Sequence, residues 1–198
     1  MPPVKAGRLL KGLALAGAAA AVGVASSTPL GRELDDALFA DVNAGHGPAA
    51  DRFFGGVTEL GSLYAAGAAA AALFVTGRRS AAMRAAGAAG ATWLAGQAIK
   101  RFVDRPRPFD ADAEGTRRMI ARPQGTSWPS SHPAVLTAFT RVAARELDLG
   151  VASRAALTGL DLAVASSRVY LGVHYPSDVK GGLFLGRAVA AMWPSARP

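Results

Sequence analysis

Runs of alanine, glycine, leucine and valine recur along this chain, separated by segments that carry the arginines. LALAGAAAAVGVA fills Leu13 to Ala25 behind Lys5, Arg8 and Lys11, and ELGSLYAAGAAAAALFVT fills 59–76 ahead of Gly77, Arg78 and Arg79. Further runs lie at about 81–99, from Pro133 to about Ala144, from Ala155 to about Val173, and from Val179 to about Trp193. Inside a bilayer every backbone polar group needs a partner within its own segment, so such runs are read as helices. Several are nearer 16 than 20 residues, about 24 Å at 1.5 Å per residue against a hydrocarbon core of about 30 Å. The apolar mass comes mostly from Ala, Val, Leu and Gly, a membrane-leaning composition to which the mean hydropathy of +0.21 adds little weight.

The pattern predicts an all-α integral membrane bundle of about six transmembrane helices in one domain, residues 1–198. Residues 1–27 read as a membrane anchor or signal-like segment, retained rather than cleaved, because further apolar spans follow. Residues 28–56 alternate acidic and apolar residues at helical spacing and end at GHGP, which reads as an extramembrane or interfacial helix. Residues 57–198 form the bundle. The competing expectation is that its helices lie partly outside the membrane, because Arg141, Asp161 and Arg187 fall within proposed spans. A charge at a helix centre costs about 2.5–3.5 kcal/mol on insertion scales unless paired, so Asp161 and Arg187 are expected to pair between helices. Gly182 and Gly186, four residues apart, are expected to let helices pack closely.

Charge gives the orientation. With Lys5, Arg8 and Lys11 held in the cytoplasm, Arg78, Arg79, Arg84, Arg145, Arg154 and Arg197 fall on the same side. Loops 28–56, 100–131 and 168–178 then face outward, and only the arginines of loop 100–131 depart from the positive-inside pattern. The net charge of +8 and pI near 10.8 suit nucleic acid, anionic lipid or a phosphorylated substrate. No aromatic residues interleave with the basic ones and no zinc-finger pattern appears, so no nucleic-acid partner is expected. The absence of cysteine excludes disulfides, zinc–thiolate sites and thiol catalysis.

Three short stretches on the outward side carry polar residues in fixed register: Lys100 and Arg107-Pro108 at 100–108, Pro129-Ser130-Ser131-His132 at 129–132, and Ser167-Arg168 with His174 and Asp178 at 167–178. Each has a bland reading alone: a basic loop after a helix, a helix N-cap, and an interfacial histidine before a helix start. Their order, K-x6-RP, PSSH, SR-x5-H-x3-D, resembles the signature of the type 2 phosphatidic acid phosphatase superfamily, the lipid phosphate phosphatases. The resemblance covers about residues 100–178. Ser131 stands where the family has glycine, which adds a side chain where backbone would approach a phosphate.

The resemblance implies a membrane lipid phosphate phosphatase working through a phosphohistidine, and the residue types suit that chemistry. Lys100, Arg107 and Arg168 would neutralise a phosphomonoester and the charge on its equatorial oxygens, arginine offering bidentate geometry. His174 would be the nucleophile, with Asp178 fixing its tautomer and raising its pKa. His132 would protonate the leaving alkoxide and then activate water. Ser130 and the backbone N–H groups beginning the fourth helix, with Ser131 beside them, would donate to phosphate oxygens. No cofactor and no metal are expected, since the three cations do the work a divalent ion does elsewhere.

The expected substrate is a polyprenyl carrier, phosphatidic acid, phosphatidylglycerol phosphate or a related lipid phosphate, with residues 109–126, including Arg117, Arg118 and Arg122, shaping headgroup choice. The Ala- and Arg-rich composition suits a GC-rich bacterial genome, where a polyprenyl carrier of envelope synthesis is the leading expectation. The expected location is the cell membrane, multi-pass, with the site on the extracytoplasmic side. Rival readings are a vanadium haloperoxidase-like enzyme, which shares a related pocket, and a non-catalytic membrane protein that binds anionic lipid. His46 lies outside the motifs and reads as a loop residue.

Overall fold

The computed structural model describes residues 4–195, so Arg197 lies outside the described residues. Every regular element among them is helical. They are α1 (Ala6–Ser27), α2 (Pro29–Asn43), α3 (Pro48–Val57), a 3-10 turn (Thr58–Gly61), α4 (Leu63–Val75), α5 (Arg79–Lys100), α6 (Pro108–Ala111), α7 (Ser131–Glu146), α8 (Val151–Tyr170) and α9 (Pro176–Met192). The segment expected as one helix between the first two spans is two. Gly45 and Gly47 adopt φ of +91° and +88°, a left-handed conformation that ends α2 and lets Pro48 start α3.

Helix α7 is the centre of the bundle. Twelve of its sixteen residues are buried, from Pro133 to Glu146, and α5, α9 and α8 pack around it. Alanines 81, 82, 85, 88 and 89 make the buried face of α5, so its axis approaches α7 closely, and Val135, Ala138, Phe139 and Val142 of α7 complete that core. Close approach is strictest on α9. A Cβ on Gly182 would stand 2.3 Å from the Ser130 carbonyl oxygen, and one on Gly186 would stand 2.4 Å from that of Ala134. These two glycines therefore set how deeply the start of α7, with Ser130 to His132, sinks against α9.

The outermost helix is α1, which runs along α9 and buries only Gly12, Ala19 and Ser26. Leu9, Leu10, Leu13 and Val24 are exposed on it. Among the described residues α1 alone is long and apolar enough to cross a bilayer by itself, with a mean hydropathy of 1.7. The segments Pro48–Gly61 and Leu63–Val75 meet the same measure as a pair bent by 66°. Of the other long helices, α7 and α9 are short, at 16 and 17 residues, and α5 and α8 carry charged and polar residues, which is why six spans are not legible by length and apolarity.

Asp161 and Arg187 do not form the expected pair. Asp161 is fully buried and accepts from the Thr140 hydroxyl at 3.0 Å, and its nearest cation is Arg141, 4.0 Å away. Helix α7 lies beside α8 and supplies the direct partners, and Arg187 of α9 reaches the carboxylate only through its field.

Candidate active site

The three motifs meet at one end of the bundle. Lys100 ends α5, Arg107 precedes α6, Ser130 and His132 flank the start of α7, Arg168 sits in the last turn of α8, and His174 and Asp178 bracket the start of α9. Arg107, Ser130, Arg168, His174 and Asp178 are all buried, and Lys100 and His132 are partly so.

His174 has a different environment at each ring nitrogen. Nε2 lies 3.1 Å from Arg107 Nη1, and Nδ1 lies 3.5 Å from Asp178 Oδ2. Arginine carries donors only, so Nε2 accepts and the ring proton sits on Nδ1, facing the carboxylate. That tautomer leaves the lone pair of Nε2 aimed into the cluster of cations. His174 lies in the segment between α8 and α9. Burial, with Arg107, Arg168 and Lys100 adding their positive field, holds it well below the ordinary histidine value of 6.5. The upward pull expected from Asp178 is therefore outweighed, and the imidazole is neutral.

Loop carbonyls hold the cations. Arg107 donates to Gly125 O at 3.0 Å and Val173 O at 2.9 Å, and Lys100 Nζ donates to Thr126 O at 2.5 Å. Arg168 donates through Nη1 to Thr58 Oγ1 at 2.7 Å, while its Nε is buried without a partner. Ser130 Oγ is likewise buried and unpartnered. Buried polar atoms of this kind are rare in folded proteins, and two in one cluster suit an anion that would satisfy both. His132 is seated by Gly61 of the 3-10 turn, where a Cβ would stand 2.9 Å from the histidine Cβ. Ser131 turns to α5: its hydroxyl is 3.5 Å from Gln97 Nε2 and would be 3.7 Å from a Cβ on Gly96. The side chain that replaces glycine here is thus lodged against Gly96 and Gln97.

Asp178 is anchored by residues the motifs do not specify. Its Oδ2 accepts from Ser127 Oγ at 2.5 Å and from the Tyr175 N–H at 2.8 Å, and Oδ1 accepts from Arg105 Nη1 at 2.8 Å. The other arm of Arg105 reaches Asp35 of α2 at 2.6 Å, and Asp35 also accepts from the Ser177 N–H and hydroxyl. Arg105 thus serves two buried carboxylates at once, and its guanidinium lies 4.5 Å from the Tyr175 ring centroid. Arg105→Met is expected to destabilise the fold by about 3 kcal/mol, the usual cost of leaving a buried charge unpaired. Thermal unfolding of the purified variant checks this, and Asp35→Asn in the same background should recover part of the loss.

In the loop expected to choose headgroups, Arg117 is engaged structurally, paired with Asp51 at 2.6 Å, its backbone N–H bonded to Asn43 Oδ1. Arg118 and Arg122 lie over Phe109, and Arg122 pairs with Asp110 at 2.6 Å. His46 is exposed, stacked near Tyr170.

The family model for the PAP2 superfamily matches residues 81–198. Over 100 residues the chain is 38% identical to the decaprenylphosphoryl-5-phosphoribose phosphatase of two strains of Mycobacterium tuberculosis, a match covering 48% of this chain and 49% of the relative. The chain spans about half the length of the curated relatives it matches. Among solved structures, the transmembrane PAP2-type phosphatidylglycerolphosphate phosphatase of Bacillus subtilis superposes with a TM-score of 0.75 at 22% identity, covering 91% of this chain and 92% of that one. LpxE of Aquifex aeolicus superposes with a TM-score of 0.71 at 25% identity, covering 79% and 92%.

Proposed function

The chain belongs to the PAP2 superfamily, and we propose that it is a membrane phosphatase that removes a phosphomonoester from a polyprenyl-linked lipid through a phosphohistidine. One observation carries the reading: a buried neutral imidazole with its Nε2 lone pair 3.1 Å from the Arg107 guanidinium and its Nδ1 proton turned to Asp178. A phosphoryl group entering that space meets Lys100, Arg107 and Arg168 on its oxygens, with Ser130 Oγ and Arg168 Nε as further donors.

Nε2 attacks phosphorus and the bond to the lipid alkoxide breaks; His132, which burial and the neighbouring cations hold below its ordinary histidine value, takes up a proton as the negative phosphate arrives and gives it to that oxygen. Asp178 holds the cationic character that builds up on the ring. Water, deprotonated by His132, then attacks the phosphohistidine and returns His174 neutral with release of phosphate. The three cations neutralise the transferring group, so the reaction proceeds without a divalent metal.

The polyprenyl substrate class is supported by the 38% identity shared with the mycobacterial decaprenylphosphoryl-5-phosphoribose phosphatase over the matched stretch. The membrane arrangement we favour is six spans with the catalytic loops outward, and with α1 as a retained anchor. The positive-inside pattern supports the first two and the packing of α1 along α9 supports the third.

The test is phosphate release from purified protein in detergent, with EDTA, over a panel of polyprenyl-phosphoryl sugar phosphate, polyprenyl pyrophosphate, phosphatidylglycerol phosphate and phosphatidic acid. The polyprenyl sugar phosphate is expected to give the highest kcat/KM, unchanged by EDTA. Preference for a glycerolipid would remove the polyprenyl assignment, and loss of activity in EDTA would remove metal independence.

A further inference from the structure

A second concentration of positive charge lies at the other end of the bundle. His132 opens α7 at the catalytic end, and Arg145 lies about 20 Å farther along the same helix at 1.5 Å per residue. There α1, α7, α8 and α9 enclose a cavity of about 480 Å³ lined by Arg8, Lys11, Arg141, Arg145, Arg154 and Arg187. Its remaining wall is apolar, made by Leu15, Ala190 and Ala191.

Helix capping explains half of these cations. Arg8 donates to Ala191 O at 3.1 Å and to Trp193 O, and Arg145 donates to Ala190 O at 2.8 Å, so both close the C-terminus of α9. Arg154 does the same for α7 through Leu149 O at 2.6 Å and Ala144 O at 3.3 Å. Capping leaves Lys11, Arg141 and Arg187. Arg141 is held by Thr158 at 3.1 Å and stands 4.0 Å from Asp161, whereas Lys11 and Arg187 make no hydrogen bond or ion pair with the described residues. Two carboxylates are close: Asp161 is fully buried behind Thr140, and Glu146 is shared by Arg84 and Arg145 at 3.7 and 3.8 Å. Neither is among the residues lining the cavity. Six cations facing one space are a fixed field that an anion would relieve.

We propose that this cavity binds a phosphate group carried by an anionic phospholipid, in the leaflet opposite the catalytic loops. Lys11 and Arg187 are the cations without a hydrogen bond, Arg187 sharing its field with the buried Asp161 carboxylate, and Arg8, Arg141, Arg145 and Arg154 complete the positive field. The lipid is favoured over free phosphate because the cavity wall at Leu15 continues on α1 into the exposed Leu9, Leu10 and Leu13, an apolar track for an acyl chain beside the headgroup. Basic recesses between helices at the cytoplasmic surface are a general mode of recognising anionic headgroups.

The test uses the purified full chain, exchanged into detergent free of phospholipid and titrated separately with phosphatidylglycerol, phosphatidylcholine of the same chain length and inorganic phosphate. The thermal midpoint from tryptophan fluorescence is the readout. Phosphatidylglycerol is a diester, and an Arg107→Gln variant weakens the catalytic pocket, so a response that persists there comes from elsewhere. Phosphatidylglycerol is expected to stabilise wild type and Arg107→Gln alike, and phosphatidylcholine neither. In Lys11→Gln/Arg187→Gln the apparent affinity is expected to fall about 25-fold, about fivefold per cation. Lys11 is exposed, so Lys11→Gln alone keeps the fold and should show the fivefold loss if the double variant does not fold. A response to inorganic phosphate alone, lost in the same variants, would support the phosphate site and assign it to the free anion. Equal responses in wild type and the Lys11 variants, or no response to either anionic probe, would overturn it.

Discussion

Phosphate release by His174→Ala is expected to fall by about 10⁴-fold or more in kcat, with KM changed little, because the variant removes the atom that accepts the phosphoryl group in the proposed covalent route and leaves the cations in place. The comparison is made by steady-state release from the preferred lipid, alongside a binding assay with an unreactive phosphonate. Retained activity within tenfold of wild type would end the covalent mechanism. The pH dependence follows from the same residue. His174 is held well below 6.5, so its protonation produces no acid limb near that value in kcat/KM for the free enzyme. Stability carries the opposite signature. Below about pH 6.5 the unfolded chain binds a proton at this histidine that the folded chain refuses, so the unfolded state is favoured progressively as pH falls and the contribution vanishes above that value. Thermal midpoints of wild type should drop from pH 7 to pH 5 more steeply than those of a His174→Phe variant, which removes the titrating group while keeping an aromatic ring.

What the sequence made legible here is what a linear pattern can encode. Lys100, Arg107, Ser130, His132, Arg168, His174 and Asp178 stand in short, fixed registers at helix ends, and the chain brings those ends together. The helices themselves were readable from their apolar runs, with ends displaced by a few residues, as at α8, which stops at Tyr170 rather than near Val173. What escaped has no register. Arg105 lies among the six unspecified residues between Lys100 and Arg107, Ser127 precedes the second motif, and Asp35 sits on a helix that an amphipathic reading marks only as interfacial. Their roles depend on separations of 51 to 73 positions along the chain that only packing closes. The charge inside the bundle was misassigned for a related reason. Asp161 is expected to pair with Arg187 as another charge inside a proposed span, whereas the folded chain offers it a hydroxyl and an arginine from α7. The direction of the His174 shift turns on burial, which the sequence does not show: it is the largest cause, and with the field of Lys100, Arg107 and Arg168, already expected around the phosphate, it outweighs the one carboxylate beside the ring.

His132→Ala is expected to lower release from an alkyl phosphomonoester by about 10²–10⁴-fold, the usual range for loss of a positioned acid and base. Its value as a test lies in separating the two roles proposed for one imidazole. With an alkyl ester both steps need it: the leaving alkoxide must be protonated, and the water that later attacks phosphorus must be deprotonated. With p-nitrophenyl phosphate the leaving group departs as a stable anion, so transfer to His174 no longer needs the acid, while hydrolysis of the phosphohistidine still needs the base. The variant should therefore release nitrophenol in a rapid burst close to one equivalent per enzyme, followed by slow turnover. The burst should be absent from His174→Ala, which has nowhere to store the phosphoryl group. A His132→Ala enzyme that is slow from the first turnover with both substrates would remove His132 from the acid role, and direct attack by water on the substrate would then fit better than the covalent route.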